Sequence, residues 1–440
     1  MKRAVFLILL SALAVPTASP AAPPGSPAPF ALRDGDRVVF YGDSITQDGG
    51  YARLVEEYAR TRFPRWDVRF WNAGVGGDTV RGGGAGPIEV RLERDVVALK
   101  PTVVTIMLGM NDGGYKPFDP TTLATFGDGY RAIVAKLQQA LPGVRLTFIR
   151  SSPFDDVARP PQFAPGYDDA LRRLGCYVTS LGAQEKATVV DFREPVNAGI
   201  AAVLKDNPDL ARQVLPDRVH PGAAGHMVMG ATLLRAWSAP PLVTRVEIDA
   251  AGKRVAAAEN TDVSGLVAEG GVSWTQLDRA LPLPLSFEDG ETELAQKAGA
   301  DIESLDQEPL VVTGLGSGRF ELKIDGQSVG TFGDDELRKG VNLARYQTPM
   351  RWQAYSVKWS VGGGHEEQRV RRELLVAAAK DPSLEEPARA LAARDEAVQK
   401  DRSQAATPKP RRYELIRHSG NPGGSGGTGS PQSKESQTKP

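Results

Sequence analysis

From about residue 35 to residue 240, short apolar runs alternate with longer amphipathic stretches. This alternation restricts the fold more than any other feature of the 440-residue chain. A run of four to seven apolar residues has the length of a strand buried on both faces. The stretch after it has room for the helix that parallel strands need as a connection. Arg37–Tyr41, Val68–Trp71, Thr102–Leu108, Val144–Arg150 and Thr188–Phe192 read as strands. Gly50–Phe63, Pro87–Leu99, Tyr130–Leu141, Asp168–Lys186 and Gly222–Trp237 read as helices. The expectation is an α/β domain over 35–240, with a mostly parallel sheet covered on both faces.

A chain this long exceeds what one core organises, so further units are expected. Residues 241–380 read as a smaller, hairpin-rich α+β domain. Thr244–Ala250 and Lys253–Ala258 flank a turn. Arg319–Ile324 and Gln327–Phe332 flank Asp325-Gly326, a strong two-residue hairpin signal. Asp334–Lys339 reads as a helix. Met350–Trp359 and Glu366–Lys380 read as two helices separated by Gly362-Gly363-Gly364, which places His365 in a solvated linker. Residues 381–440 read as a charged helix to about Lys400 and, beyond His418, a disordered tail rich in Gly, Ser and Pro, with His418 solvated. At the other end, Lys2 and Arg3 precede an apolar run from Ala4 to Val15, followed by small residues and prolines to Ala22. Residues 1–22 therefore read as a secretory signal peptide, too short to span a bilayer. The protein is expected to be secreted or periplasmic, without stable membrane insertion after cleavage.

Charge and residue usage limit the chemistry. Lys+Arg is 53 and Asp+Glu is 54, a net charge of −1, which argues against a nucleic-acid partner. One cysteine, Cys176, permits no intrachain disulfide and no thiolate cluster; it is expected to be a buried small apolar residue. The four histidines are His220, His226, His365 and His418. His226 lies six residues past His220 on an apolar helix. That is not a familiar ligand spacing, so it reads as a packed, hydrogen-bonded histidine, and no metal or other cofactor is expected.

In an open parallel sheet, ligands bind outside the carboxyl ends of the strands. After the first strand comes Gly42-Asp43-Ser44. After the second comes Asn72-Ala73-Gly74-Val75-Gly76-Gly77-Asp78. After the third comes Gly109-Met110-Asn111-Asp112, and late in the domain Asp217-Arg218-Val219-His220-Pro221. A serine hydroxyl is a poor nucleophile until a base takes its proton. A base imidazole needs a carboxylate on its other nitrogen. Ser44, His220 and Asp217 supply these three groups. The Ser44 amide, the Gly77 amide and the Asn111 side chain can supply oxyanion donors. Taken singly, each has a plainer reading: Ser44 as a helix cap, Asn111 as a turn residue, Asp217 as a cap and His220 as a solvated loop residue. Their joint occurrence at one sheet edge favours the catalytic reading. Gly423–Gly427 also satisfies G-x-S-x-G, but lies in tail sequence rather than on a strand–turn–helix elbow, and is rejected.

These four blocks resemble those of the SGNH, or GDSL-like, hydrolases, and the likeness covers about residues 35–240. The resemblance implies a flavodoxin-like three-layer α/β/α fold. It also implies Ser44 as nucleophile, His220 as base and Asp217 as acid, with Gly77 and Asn111 as oxyanion donors. The fourth position of the first block is Ile45 in place of Leu, an apolar exchange. Gly340–Ala344 and Thr348–Met350 look like a C-terminal extension found on some secreted bacterial members. The expected reaction is cofactor-free hydrolysis of small-molecule or polysaccharide esters, with acetyl esters on carbohydrate first and a lysophospholipid or other lipid ester as the alternative. A reading of another class is a non-catalytic carbohydrate-binding or envelope protein. Trp274, Trp352 and Trp359 can stack on sugars, but are expected to be core residues.

Overall fold

A computed structural model describes residues 28–418. The expected signal segment, the tail beyond His418 and the Gly423–Gly427 run lie outside the described residues. In chain order, the N-terminal domain runs β1 (Arg37–Gly42), α1 (Ser44–Asp48), α2 (Gly50–Arg62), β2 (Arg69–Gly74), a small ribbon of β3 (Gly82–Gly83) and β4 (Gly86–Pro87), and α3 (Ile88–Asp95). It continues through β5 (Val103–Met107), α4 (Pro120–Ala140), β6 (Arg145–Arg150), α5 (Tyr167–Glu185), β7 (Thr188–Asp191), α6 (Arg193–Leu204), α7 (Pro208–Val214) and α8 (Ala223–Ala236). Five strands pair in parallel in the order β2-β1-β5-β6-β7. The alternation of side chains along β1 serves two cores. Val38 and Phe40 pack on one face with Tyr51, Phe70 and Leu233; Val39 and Tyr41 pack on the other with Ile106, Tyr130 and Phe148. This is the expected three-layer α/β/α arrangement.

Helix α4 begins ten residues before the expected Tyr130. Asp119 caps it through the Thr121 amide at 2.8 Å, and Pro120 occupies the first turn. Gly127 and Gly129, poor helix formers, lie inside its first turns. Both lie against neighbours, and a methyl at Gly129 would stand 2.5 Å from Val80. Helices α6 and α7, after β7, were not anticipated. Cys176 is exposed on α5, not buried, because it sits on the solvent side of a helix whose inner face is Leu171, Leu174 and Val178.

The C-terminal part runs β8 (Arg245–Asp249), β9 (Arg254–Glu259), β10 (Thr261–Val267), β11 (Val272–Asp278), α9 (Gly290–Lys297), β12 (Pro309–Thr313), β13 (Arg319–Ile324), β14 (Gln327–Gly333), α10 (Asp334–Lys339), β15 (Val341–Asn342), α11 (Pro349–Ala378), α12 (Glu385–Ala405) and β16 (Arg411–Arg417). One sheet has the order β10-β11-β16-β13-β14 and another β15-β12-β8-β9. At the Asp325-Gly326 turn both residues have positive φ (51° and 77°), as the tightest hairpins require. Trp274 is a core residue, stacked on Tyr413 at 5.0 Å. The sequence reading assigns no element to residues 411–417. They form the middle strand of the first sheet, paired with β11 and β13. Nor do the three glycines separate two helices, because α11 runs unbroken from Pro349 to Ala378. Each glycine costs about 1 kcal/mol relative to alanine, and burial of Val357, Val361, His365 and Gln368 on both sides outweighs it.

Helices α11 and α12 close the open edge of the parallel sheet of the N-terminal domain. Strand β2 is an edge strand, and its outward backbone groups at Phe70 and Asn72 face no other strand. Side-chain amides take that place. Gln368 accepts from the Asn72 amide at 3.1 Å and donates to the Phe70 carbonyl at 2.9 Å; Gln399 accepts from the Phe70 amide at 3.1 Å. Arg372 donates to the Asn72 carbonyl at 2.7 Å, and the Trp71 indole donates to Asp395 at 3.1 Å. His365 is buried and hydrogen-bonded to Glu56 of α2 at 2.9 Å, so it belongs to the interface and not to a solvated linker. No described helix is long and apolar enough to cross a membrane.

Two outcomes follow for stability. Gln368→Leu strands the buried Asn72 amide of β2 and leaves the Phe70 carbonyl only its 3.3 Å bond from Gln399, which should cost about 1–3 kcal/mol in urea unfolding; an unchanged midpoint would contradict the edge-cover account. Burial pushes the Glu57 carboxyl up to about 7, with Lys358 and Arg53 pulling it partly back. The folded state therefore favours the protonated acid, and stability falls as pH rises from the unfolded value near 4.5 through 7. Glu57→Gln should leave the melting temperature unchanged at pH 4.5 and raise it at pH 8; an equal effect at both would refute this.

Candidate active site

The site stands at the carboxyl edge of the parallel sheet. Strand β1 ends at Gly42, and the chain turns at once into α1. Asp43 caps that helix, accepting from the Ile45 amide at 3.0 Å. Its carboxyl is fully buried, which pushes its pKa up to about 7. Ser44 is the first helical residue. Its amide has no partner within the helix, as expected of a first-turn N–H, and makes no hydrogen bond among the described residues. Helix α1 can lie this close because two glycines leave room. A methyl at Gly42 would stand 2.2 Å from Thr46 Oγ1, and one at Gly74 would stand 2.2 Å from the Gln47 nitrogen. Asn72 ties the end of β2 to α1 by donating to the Thr46 carbonyl at 2.5 Å.

Ser44 Oγ is 2.8 Å from His220 Nε2, and His220 Nδ1 is 2.7 Å from Asp217 Oδ2. The other Asp217 oxygen accepts from the backbone amides of Val219 (3.0 Å) and His220 (2.7 Å). Partial burial raises the Asp217 pKa, but the His220 hydrogen bonds and these amides outweigh it and hold the carboxyl below its ordinary value. The turn bends at Arg218, a non-glycine residue with φ of 77°. Its carbonyl accepts from the Asp155 amide at 2.9 Å and its guanidinium donates to the Pro160 carbonyl at 3.0 Å, contacts that hold the strained backbone.

The three expected donors lie on three loops at the same edge. Gly77 has φ of 75° in a turn closed by the Asp78 amide on the Val75 carbonyl, and its own amide makes no hydrogen bond among the described residues. Next to it, a methyl at Gly76 would stand 3.9 Å from the Ser44 Cβ, which fixes this loop beside the serine. Asn111 donates one amide hydrogen to the Asp78 carbonyl at 3.0 Å, and its oxygen accepts from the Tyr115 hydroxyl at 3.0 Å. These bonds set which way the amide faces and leave its second hydrogen free. Buried Asp78 is paired with Arg91 at 2.7 Å, and Asp112 accepts from the Val80 amide at 2.9 Å; burial raises the Asp112 pKa to about 6. Both acids brace the loop.

Sequence reasoning did not find Tyr115, which follows Asn111 by four residues and lies on no recognisable pattern. It also missed the contribution of α11. A polar cleft of about 470 Å³ opens at Ser44 and His220, with Arg53 of α2 and Gly362, Glu366 and Arg369 of α11 around it. His226 is packed as expected: its Nδ1 accepts from the Tyr51 amide at 3.3 Å, and it is buried against the Tyr51 ring. His418 is exposed.

Residues 40–228 match the GDSL-like Lipase/Acylhydrolase family. Over those residues the chain is similar to the SGNH, or GDSL-like, hydrolases, and it is an enzyme acting on ester bonds. An acetylxylan esterase from Geobacillus stearothermophilus is 29% identical over 227 residues, covering 46% of this chain and 94% of that protein. A solved structure of a gut microbial diltiazem-metabolizing enzyme is 27% identical, with a TM-score of 0.75. It covers 88% of this chain and 98% of that one, so the likeness takes in the C-terminal part as well.

Proposed function

We propose that the protein is a serine esterase in which Ser44, His220 and Asp217 form the catalytic triad, acting on acetyl esters of carbohydrate. One observation carries the triad: the continuous hydrogen-bonded chain from Ser44 Oγ through both nitrogens of His220 to Asp217, at 2.8 and 2.7 Å. Ser44 Oγ attacks the ester carbonyl as His220 Nε2 takes its proton, and Asp217 stabilises the imidazolium. The amides of Ser44 and Gly77 and the Asn111 side chain hold the oxyanion. His220 then delivers its proton to the leaving alcohol. A water attacks the acyl-enzyme by the same route and frees the serine. The residues do this without a cofactor. The polar cleft beside the triad, with Arg53, Glu366 and Arg369 to bond hydroxyl groups, and the acetylxylan esterase relative support a sugar alcohol. The charged start and short apolar run of residues 1–22 support export, and the mature protein isolated from outside the cytoplasm should begin near residue 23.

A second reading, esters with a longer apolar acyl chain, has its own support. A largely apolar cleft of about 970 Å³ lies between Val75–Val90 and the end of α11 with Leu384, and Gln47 lines both it and the polar cleft. Gly76, which abuts Ser44, is part of the apolar cleft's wall.

A fluorophosphonate probe should label the protein, and Ser44→Ala should abolish labelling and lower kcat by about a thousandfold or more. Well-folded wild type that takes no label would refute the triad. In a series of nitrophenyl esters, higher kcat/KM at two carbons than at eight supports the acetyl reading, and the reverse order supports the apolar one. Tyr115→Phe removes the group that orients Asn111. It should lower kcat on nitrophenyl acetate by about 3–10-fold, roughly 1 kcal/mol, with little change in KM; an unaltered kcat would remove Tyr115 from the account.

A further inference from the structure

Helix α11 enters the catalytic cleft at Gly362, Glu366 and Arg369. Continuing along the same helix toward its N-terminus, Trp359, Tyr355 and Trp352 follow at steps of three, four and three residues from Gly362, which keeps them on one helical face. Trp352 is 55% exposed and Trp359 70% exposed, the two most exposed large apolar side chains among the described residues. Tyr355 is half-buried between them. The rings form a continuous row, with centroids 5.6 Å apart from Trp352 to Tyr355 and 6.4 Å apart from Tyr355 to Trp359. Trp359 lies about 4.5 Å along the helix axis from Gly362, and Trp352 about 15 Å.

Exposed tryptophans on a helix whose other face is fully packed cost solvation and gain nothing in the fold, so they mark a contact surface. The surroundings narrow the ligand. Ser356 and Lys358 flank the rings, Glu366 and Arg369 stand at the cleft end, and this stretch of α11 has no exposed aliphatic side chain. A lipid surface needs such aliphatic groups around its aromatics. Flat rings at spacings comparable to one pyranose, interleaved with hydrogen-bonding groups, suit the apolar faces and hydroxyl edges of a sugar chain.

We propose that Trp352, Tyr355 and Trp359 are a carbohydrate subsite that holds the polysaccharide chain of the ester substrate and leads it over Gly362 to Ser44. This rests on the carbohydrate reading above and deepens it. The row lies outside the hydrolase domain, so it gives the C-terminal part a direct share in substrate binding. It touches no reacting atom; its effect is on affinity for extended substrates alone.

The test compares the full chain with the double variant Trp352→Ala/Trp359→Ala, both positions being exposed enough to change without unfolding. On acetylated xylo-oligosaccharides the double variant should show KM raised about tenfold or more with kcat retained, while nitrophenyl acetate is hydrolysed as by wild type. Xylohexaose should quench wild-type tryptophan fluorescence, with the quench lost in the variant. An unchanged KM on the oligosaccharides overturns the subsite and leaves the esterase reading standing. Wild type that hydrolyses nitrophenyl acetate, but neither cleaves acetylated oligosaccharides nor is quenched by xylohexaose or cellohexaose, overturns the subsite together with the carbohydrate reading. Loss of nitrophenyl acetate activity in Ser44→Ala with the xylohexaose quench intact separates binding from catalysis and upholds both.

Discussion

The close seating of α1 on the backbones of β1 and β2 is the contact on which the active site depends. No side chain separates them: Gly42 and Gly74 leave only hydrogens where the helix passes, and Thr46 and Gln47 fill the space. Ser44, the proposed nucleophile, therefore rides on the first turn of a helix that cannot shift without moving two strands. Asp43 fixes the helix start, and Asn72 ties the helix to β2. Ser44 is presented at the sheet edge with its own amide free, where first-turn N–H groups favour developing negative charge. The loop bearing His220 and Asp217 reaches the same point from the far end of the domain and is held by its own contacts to residues 155–160.

The C-terminal part bears on this site in two ways. Through Gln368, Gln399 and Arg372 it satisfies the polar backbone of the edge strand that carries Asn72 and Gly74. A flexible edge there would loosen the loop from Val75 to Asp78. Through Gly362, Glu366 and Arg369 it walls the cleft. One helix thus stabilises the strand end on its inner face and shapes substrate access on its outer one.

Much of the hydrolase domain was legible along the chain. Parallel strands buried on both faces read as continuous apolar runs, and all five were located. The four short blocks each fall within a few contiguous residues, so Ser44, Gly77, Asn111, Asp217 and His220 could be singled out as candidates from local pattern alone. Harder to see was whatever depended on packing between distant segments. Gly362-Gly363-Gly364 looked like a break, since local propensity disfavours a helix there. His365 looked solvated for the same reason, and it is buried against Glu56, more than three hundred residues away. Strand β16 is seven residues of mixed charge and apolar character in a polar tail, and only its pairing with β11 and β13 makes it a strand.

The amino-acid order by itself determined the alternation of strands and helices, the glycines at strand ends and the spacing of Asp217 and His220, because these follow from local backbone preference and side-chain reach. The tertiary structure alone decided that a distant helix covers the edge of β2, that Tyr115 orients Asn111, and that Trp352 and Trp359 face solvent beside the cleft while Trp274 is buried. Each of these depends on which surfaces meet. That is settled by the burial of apolar area and the pairing of buried polar groups across the whole chain, neither of which a local stretch of sequence specifies.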